Sequence, residues 1–138
     1  MIQILLILIG LSSLSMANFS KSGNIVTDSS TGLQWQDDAI GTTTTWQGAI
    51  DRCEALVLDT HDDWRLPNKN ELISIVDYSL NNPSIDSQFQ NTISYYYWSS
   101  TSNASYPSYA WYVYFYDGST YYSNKFNSKY VRCVRAGQ

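Results

Sequence analysis

Charge is scarce in this sequence. Only 14% of its 138 residues are charged, and eight basic residues face twelve acidic ones for a formal net charge of −4. An acidic chain without a basic stripe lacks the electrostatic footprint of a nucleic-acid binder. No run of like charge is long enough to form an interaction tail. There is one histidine, His61, and there are two cysteines, Cys53 and Cys133. So sparse and spread a set does not make a zinc spacing. His61 has no Ser or Cys nucleophile beside it, and His61-Asp62-Asp63 reads as a solvated turn. Asp59, Asp62 and Asp63 are close enough to suggest a calcium loop, but neighbouring acids more often form a polar connection. The expectation is therefore no metal and no cofactor.

Beyond residue 17 there is no second hydrophobic segment, and no lipobox cysteine is present. Before it, residues 2–14 are an apolar run broken only by Gln3, Gly10, Ser12 and Ser13, followed by Ser15-Met16-Ala17. The small-x-small pattern is that of a signal-peptidase site, although no Lys or Arg precedes the run. The run is shorter than the ~20 residues a spanning helix needs. Residues 1–17 are expected to be a signal peptide and residues 18–138 the mature domain, with no stable membrane insertion after cleavage. In an exported protein an even pair of cysteines reads as a disulfide. Closing so long a loop is worth roughly 4–5 kcal/mol in the chain-entropy picture. Two buried thiols are the alternative.

Aromatic residues, in contrast, make up 15% of the chain, and eleven of the twelve tyrosines lie within residues 95–135; only Tyr78 is outside. Serine, threonine and asparagine fill most of the gaps. Tyrosine among small polar residues is the composition of a recognition surface, because the ring gives large contact area for two lost torsions. A β-sheet that favours aromatics is the blander reading.

In chain order, residues 18–23 read as a frayed start. Residues 24–28 and 33–36 read as short strands around a turn at 29–32. Thr45 is placed to cap a helix whose apolar stripe is Trp46, Ala49, Ile50, Cys53, Leu56 and Val57. Asn68, with Glu71 three residues on, caps a second helix that buries Leu72, Ile73, Ile75, Val76 and Leu80. Trp64 and Arg65 precede it and read as a structural brace, since an arginine between core residues needs hydrogen-bond partners. Residues 81–91 read as an irregular loop. Residues 97–100 are strand-like, residues 110–116 alternate strictly, Asp117-Gly118 is a hairpin turn, and residues 119–126 and 130–135 are return strands. The alternation turns Trp111, Val113 and Phe115 to the core. Tyr112, Tyr114 and Tyr116 face the other way, where no helix remains to cover them. With Tyr121 and Tyr122 they are expected to form an exposed aromatic patch, the usual mark of a contact surface. The rival expectation is that Asn- and Ser-rich loops fold over them. The candidate ligand-binding residues are Tyr106, Tyr109, Tyr112, Tyr114, Tyr116, Tyr121, Tyr122 and Asn124.

Several signatures fall in order: Asp28-x-x-Thr31-Gly32-Leu33-x-Trp35, Trp46-x-x-Ala49-Ile50-x-x-Cys53, Asp63-Trp64-Arg65-Leu66-Pro67-x-x-x-Glu71-Leu72, Trp98-Ser99-Ser100-Thr101, Ala110-Trp111-x-Val113-x-Phe115-x-Asp117-Gly118 and Val131-Arg132-Cys133-Val134-Arg135. This set resembles the Lcl C-terminal domain family, named for a bacterial collagen-like adhesin. The resemblance implies an α+β domain, a compact C-type-lectin-like fold in which two helices flank a twisted antiparallel sheet and the terminal strands pair. It implies a disulfide from the first helix to the last strand, which are the places of Cys53 and Cys133, and a ligand surface at about residues 99–127. The Arg65-Leu66-Pro67 and 132–135 pieces also resemble formylglycine-generating-enzyme-type domains. Those enzymes use reactive cysteines, whereas the cysteines here sit where a structural pair belongs, so no enzyme is expected. The calcium-dependent sugar-binding motifs of the lectin fold do not occur.

The functional expectation is a secreted or cell-surface, non-catalytic binding module of bacterial or phage context that recognises a glycan or a surface protein, adhesin-like. A homo-oligomeric structural domain, a trimer by resemblance to the adhesin, is the alternative. A third is a receptor-binding segment diversified by a retroelement that rewrites adenines. The adhesin's sulfated-glycan binding needs a cationic surface. Only Lys125, Lys129, Arg132 and Arg135 stand in the tyrosine-rich region, against Asp117.

Overall fold

The computed structural model describes residues 18–137; the expected signal peptide lies outside them. The domain is α+β, with two antiparallel sheets and two short helices. The first sheet has the order β1-β2-β3-β7, from β1 (Phe19–Ser22), β2 (Ile25–Asp28), β3 (Leu33–Gln36) and β7 (Val134–Ala136). The second has the order β4-β5-β6, from β4 (Tyr96–Ser102), β5 (Tyr109–Tyr114) and β6 (Ser119–Asn124). Helices α1 (Trp46–Ala55) and α2 (Lys69–Ser74) lie between them in sequence. The first and last described strands both lie in the first sheet, where β7 pairs with β3 and not with β1.

Residues 18–23 are not frayed. Phe19–Ser22 pairs in register with Ile25–Asp28, and the Phe19 ring meets Phe89 edge-on with centroids 5.1 Å apart. A four-residue edge strand carries too little pattern to be read without its partner. At the next turn, Asp28 is buried and accepts from Ser30 N–H at 2.9 Å, Ser30 Oγ at 2.7 Å and Thr31 Oγ1 at 3.0 Å. These local bonds let a carboxylate sit inside without a cation.

Helix α1 begins where the sequence places it. Thr45 Oγ1 accepts from Gly48 N–H at 3.3 Å. It ends at Ala55, so Val57 falls outside the helical stripe and is 68% exposed. Helix α2 has the full capping box: Asn68 Oδ1 accepts from Glu71 N–H at 2.8 Å, and Glu71 Oε1 accepts from Asn68 N–H at 2.9 Å. The helix stops at Ser74, before it can carry Leu80 inward, and Leu80 is exposed. The expected loop at 81–91 instead delivers Ile85 and Phe89 to the core.

Two clusters make the interior. One joins Val26, Trp35 and Val134 of the first sheet to Tyr97 and Val113 of the second and Phe115 just beyond β5, with Leu72 and Ile75 from α2 and its exit. The other surrounds the Cys53–Cys133 disulfide with Ala49, Trp64, Leu66, Trp98 and Ala110. The segment 129–136 is the seam. Tyr130 bridges Tyr97, Val134 bridges Arg65, and Cys133 O accepts from Gln36 N–H at 2.9 Å.

The turn between β5 and β6 is longer than expected: β5 ends at Tyr114, and residues 115–118 form the connection. Gly118 there has φ +84°, and a Cβ on it would lie 2.5 Å from Val76 Cγ1 and 2.9 Å from Tyr78 Cε1. Gly118→Ala is therefore expected to cost about 2–3 kcal/mol, from left-handed strain and overpacking together. Chemical denaturation measures it, and a change within experimental error would contradict the packing at this turn.

Candidate binding surface

The three-stranded sheet holds the candidate residues, but the two helices cover opposite faces of it at opposite ends. Helix α2 packs over Tyr97, Val113 and Phe115. Helix α1 packs over Trp98 and Ala110 on the other face. Each face is thus closed at one end and open at the other. The alternation correctly separates odd from even positions on β5. It does not tell how far along each face a helix reaches, and that is why Trp111 differs from expectation. It shares its face with Val113 but lies beyond α2, half-exposed rather than in the core.

On the α2 face, Trp111 pairs with Tyr122, and Tyr109 with Asn124. The Lys69 ammonium sits 3.8 Å above the Trp111 ring. An open groove of about 610 Å³ runs between the start of α2, at Asn68, Lys69 and Asn70, and residues 101–105 with Trp111. Its wall is held from within. Thr101 Oγ1 accepts from Lys69 N–H at 2.9 Å, and the buried Asn103 accepts on Oδ1 from Ser105 N–H at 3.0 Å. Beside the groove is a recess of about 190 Å³ lined by Tyr106, Tyr109 and Tyr122. Asn124 faces Tyr109 in register, but its side chain caps the chain by accepting from Phe126 N–H at 2.9 Å.

On the α1 face, Tyr96 stacks at a tilt against Tyr112 and Tyr114, with centroids 4.8 and 4.7 Å apart. Tyr116 lies against Tyr114 at 5.9 Å and 24°. The Lys129 ammonium sits among the rings of Tyr112, Tyr96 and Trp98 at 4.2, 4.7 and 5.1 Å. Burial holds its pKa below that of an ordinary lysine. Tyr112 and Tyr114 are half-buried by these neighbours, while Tyr116 is exposed.

The two faces meet around the free edge of β6. There the Tyr121 and Tyr122 rings stack at 4.7 Å and 10°. Tyr106 and Tyr121 are the most open of the set, at 57% and 59% exposure. Burial first, then neighbouring tyrosines, raises the pKa of Tyr112 and Tyr114, and the nearby Tyr121 hydroxyl raises that of Tyr122. At neutral pH these phenols offer π-faces and neutral O–H groups.

The eight candidates do not form one patch. Tyr106, Tyr109, Tyr122 and Asn124 share the α2 face; Tyr112, Tyr114 and Tyr116 share the other, and Tyr121 links them at the edge. Sequence reasoning missed Lys69, Trp111 and Lys129. Lys69 follows a cap residue, which places it at the first turn of α2, but only tertiary packing brings that turn beside Trp111. Tyr97, in contrast, is scaffold, its buried hydroxyl accepting from Ile93 N–H at 3.0 Å.

The other singled-out residues lie elsewhere. Trp64 is buried beside α1 and donates to His61 O at 3.0 Å. Arg65 is exposed, not buried: its backbone bridges Val134 while its guanidinium donates to both Glu71 oxygens at 2.7 Å. Asp59 accepts from Asn24, and Asp63 pairs with Arg135. Among the described residues no three or more His, Cys, Asp or Glu side chains gather where a metal could be held. No helix of the described residues is long and apolar enough to cross a membrane.

The sequence profile of the Lcl C-terminal domain family matches residues 24–135. The match spans nearly the whole described domain, and the chain belongs to that family. No curated protein matches the chain.

Proposed function

We propose that this Lcl C-terminal domain is a secreted, non-catalytic binding module whose three-stranded sheet recognises a glycan or a surface protein. The observation that carries this reading is the open end of the sheet. There, on the α2 face, tyrosines, Trp111 and small polar side chains line a groove and a recess, while the other end of that face is packed under α2. Rigid aromatic anchors with hydroxyl and amide neighbours are suited to contact sugar faces and protein epitopes alike. The two cysteines are joined to each other, so neither offers a free thiol for catalysis. That bond also supports export, since disulfides persist in oxidising compartments. The C-type-lectin-like description of the fold belongs to the same proposal.

Capture on a glycan array and a panel of cell-surface proteins tests it, using two triple variants: Tyr106, Tyr109 and Tyr122 to Ala, and Tyr114, Tyr116 and Tyr121 to Ala. At least one should lower capture roughly ten-fold or more, the size of a single hot-spot loss, while circular dichroism shows a folded domain. Parent-like capture by both variants would overturn the assignment.

A second reading makes the sheet an interface between copies. Strand β6 is an edge strand with no charged residue and no proline, and such edges accept another strand. A strict monomer in light scattering at micromolar concentration removes this reading.

A further inference from the structure

Three lysines near the second sheet rest on aromatic rings: Lys69 on Trp111 at 3.8 Å, Lys125 on Trp46 at 3.9 Å, and Lys129 among Tyr96, Trp98 and Tyr112. Among the described residues none of these lysines has a carboxylate partner. Aromatic faces on this sheet, and that of Trp46 on α1, are thus already used as cation seats. One recess has the same wall chemistry and, among the described residues, receives no cation: that of Tyr106, Tyr109 and Tyr122.

Its geometry is a corner. Tyr109 stands at 85° to Tyr122 with centroids 5.9 Å apart, and at 69° to Tyr106 with centroids 6.2 Å apart. Tyr106 and Tyr122 are inclined by only 24°. Steeply inclined rings at these spacings give a cation in the recess a ring face within about 6 Å, the range of effective cation–π contact. The recess, about 190 Å³, is lined by tyrosine alone. A primary ammonium entering it would exchange its hydration for at most the phenol oxygens of the three tyrosines. A trimethylammonium group has no N–H donors to satisfy, and the net charge of −4 favours a cationic ligand.

We propose that the Tyr106–Tyr109–Tyr122 recess binds a trimethylammonium group, the chemistry of the choline headgroup. This rests on the sheet being a ligand surface, but it names a ligand that the glycan and protein panel does not.

The test titrates the whole protein with choline chloride and follows tyrosine ring resonances by NMR. The neutral isostere 3,3-dimethylbutan-1-ol runs beside it, with phosphatidylcholine and phosphatidylglycerol vesicles as a second arm. Choline should saturate and bind about ten-fold or more tightly than the isostere, as a charge-dependent contact requires. Tyr106→Ala, at an exposed position that spares the fold, should weaken it several-fold, Tyr109→Phe should retain it, and Tyr78→Ala should leave it unchanged. Co-sedimentation with phosphatidylcholine but not phosphatidylglycerol vesicles identifies a lipid headgroup as the source. Choline binding without it identifies a solute or a choline-bearing molecule other than a bilayer. No saturation with choline, equal binding of the isostere, or full binding by Tyr106→Ala overturns the proposal. If panel capture persists where choline fails, only the cage is lost and the broader surface reading stands.

Discussion

Replacing Cys53 and Cys133 together with alanine is expected to remove about 4–5 kcal/mol of stability. The bond links residues 80 apart, and in the chain-entropy picture a loop of that size constrains the unfolded chain by about 4.5 kcal/mol. The loop contains α2 and the entire second sheet, so the unfolded ensemble expands most for the part of the chain with the most non-local pairing. Both cysteines are fully buried beside Trp64 and Trp98, so each lost sulfur also leaves an incompletely filled site. A domain of this size has only about 5–15 kcal/mol in total, and the double variant should be marginal. Guanidinium denaturation is the measurement, and a larger m-value should accompany the loss as the unfolded state becomes less compact. Burial further predicts that reductant alone leaves the native protein oxidised, and that reduction follows unfolding. A loss below about 1 kcal/mol would show that the unfolded chain is already confined by residual structure.

The half of this bond on α1 is legible in the sequence, because Cys53 falls on an apolar stripe defined by Trp46, Ala49 and Ile50 at helical spacing. Its partner follows from there being one other cysteine, Cys133, and the resemblance to the family adds its place near the last strand. The local rules read well where a signal is dense. The Thr45 cap, the Asn68–Glu71 box and the alternation of 110–116 all correspond to structure. They read poorly where an element depends on a distant partner. The buried Ile85 and Phe89 are examples, since the residues that cover them come from both sheets; β1 is missed for another reason, four residues being too few to carry a pattern although its partner β2 follows directly. Val57 and Leu80 show the opposite error. Their spacing fits a helix that ends before reaching them.

The candidate surface divides along the same line. Alternation establishes that Trp111 and Tyr112 oppose one another, and it correctly places a run of tyrosines on strand and turn positions. The assumption that one face is core and the other is solvent fails because each helix covers only part of its own face. Lys129 is the clearest case. In sequence it is a lone lysine in a polar turn; in the fold it is 6% exposed, with three rings around its ammonium. Tyr96 and Tyr112 therefore owe part of their order to a cation seventeen or more positions away, and are less free to meet a ligand than Tyr106 or Tyr121.

Asp37→Asn is expected to destabilise the domain by about 3–5 kcal/mol at neutral pH, the cost of stranding a buried partner charge. Asp37 is 1% exposed and Arg132 is 3% exposed. The carboxylate accepts from Arg132 at 3.1 Å, from Lys21 at 2.5 Å, and from the N–H groups of Gln90 and Asn91 at 2.9 and 3.0 Å. Arg132 also donates to Asn91 O at 2.7 Å and Thr92 Oγ1 at 2.8 Å. The pair thus ties β1, the end of β3, the loop before β4 and the final segment into one joint. An asparagine offers one oxygen where two backbone donors converge, so its amide must oppose one of them. Lys21 can swing to water, but Arg132 cannot. Burial pushes the Asp37 carboxyl up, yet Lys21, the two N–H groups and Arg132 outweigh it and hold the pKa below the usual aspartate value. The sign follows. Stability from a depressed carboxylate is fully present above its unfolded pKa of about 3.9 and is lost as pH falls through the folded value. The gap between parent and Asp37→Asn should therefore be widest at pH 5–7 and should narrow below about pH 4, because only the parent has that proton to take up. Thermal or urea unfolding of both proteins across this range reads the effect directly. A gap that stays constant below pH 4 would mean that the variant acts through the misdirected amide alone, and that the Asp37–Arg132 charge pair contributes nothing to holding this joint together.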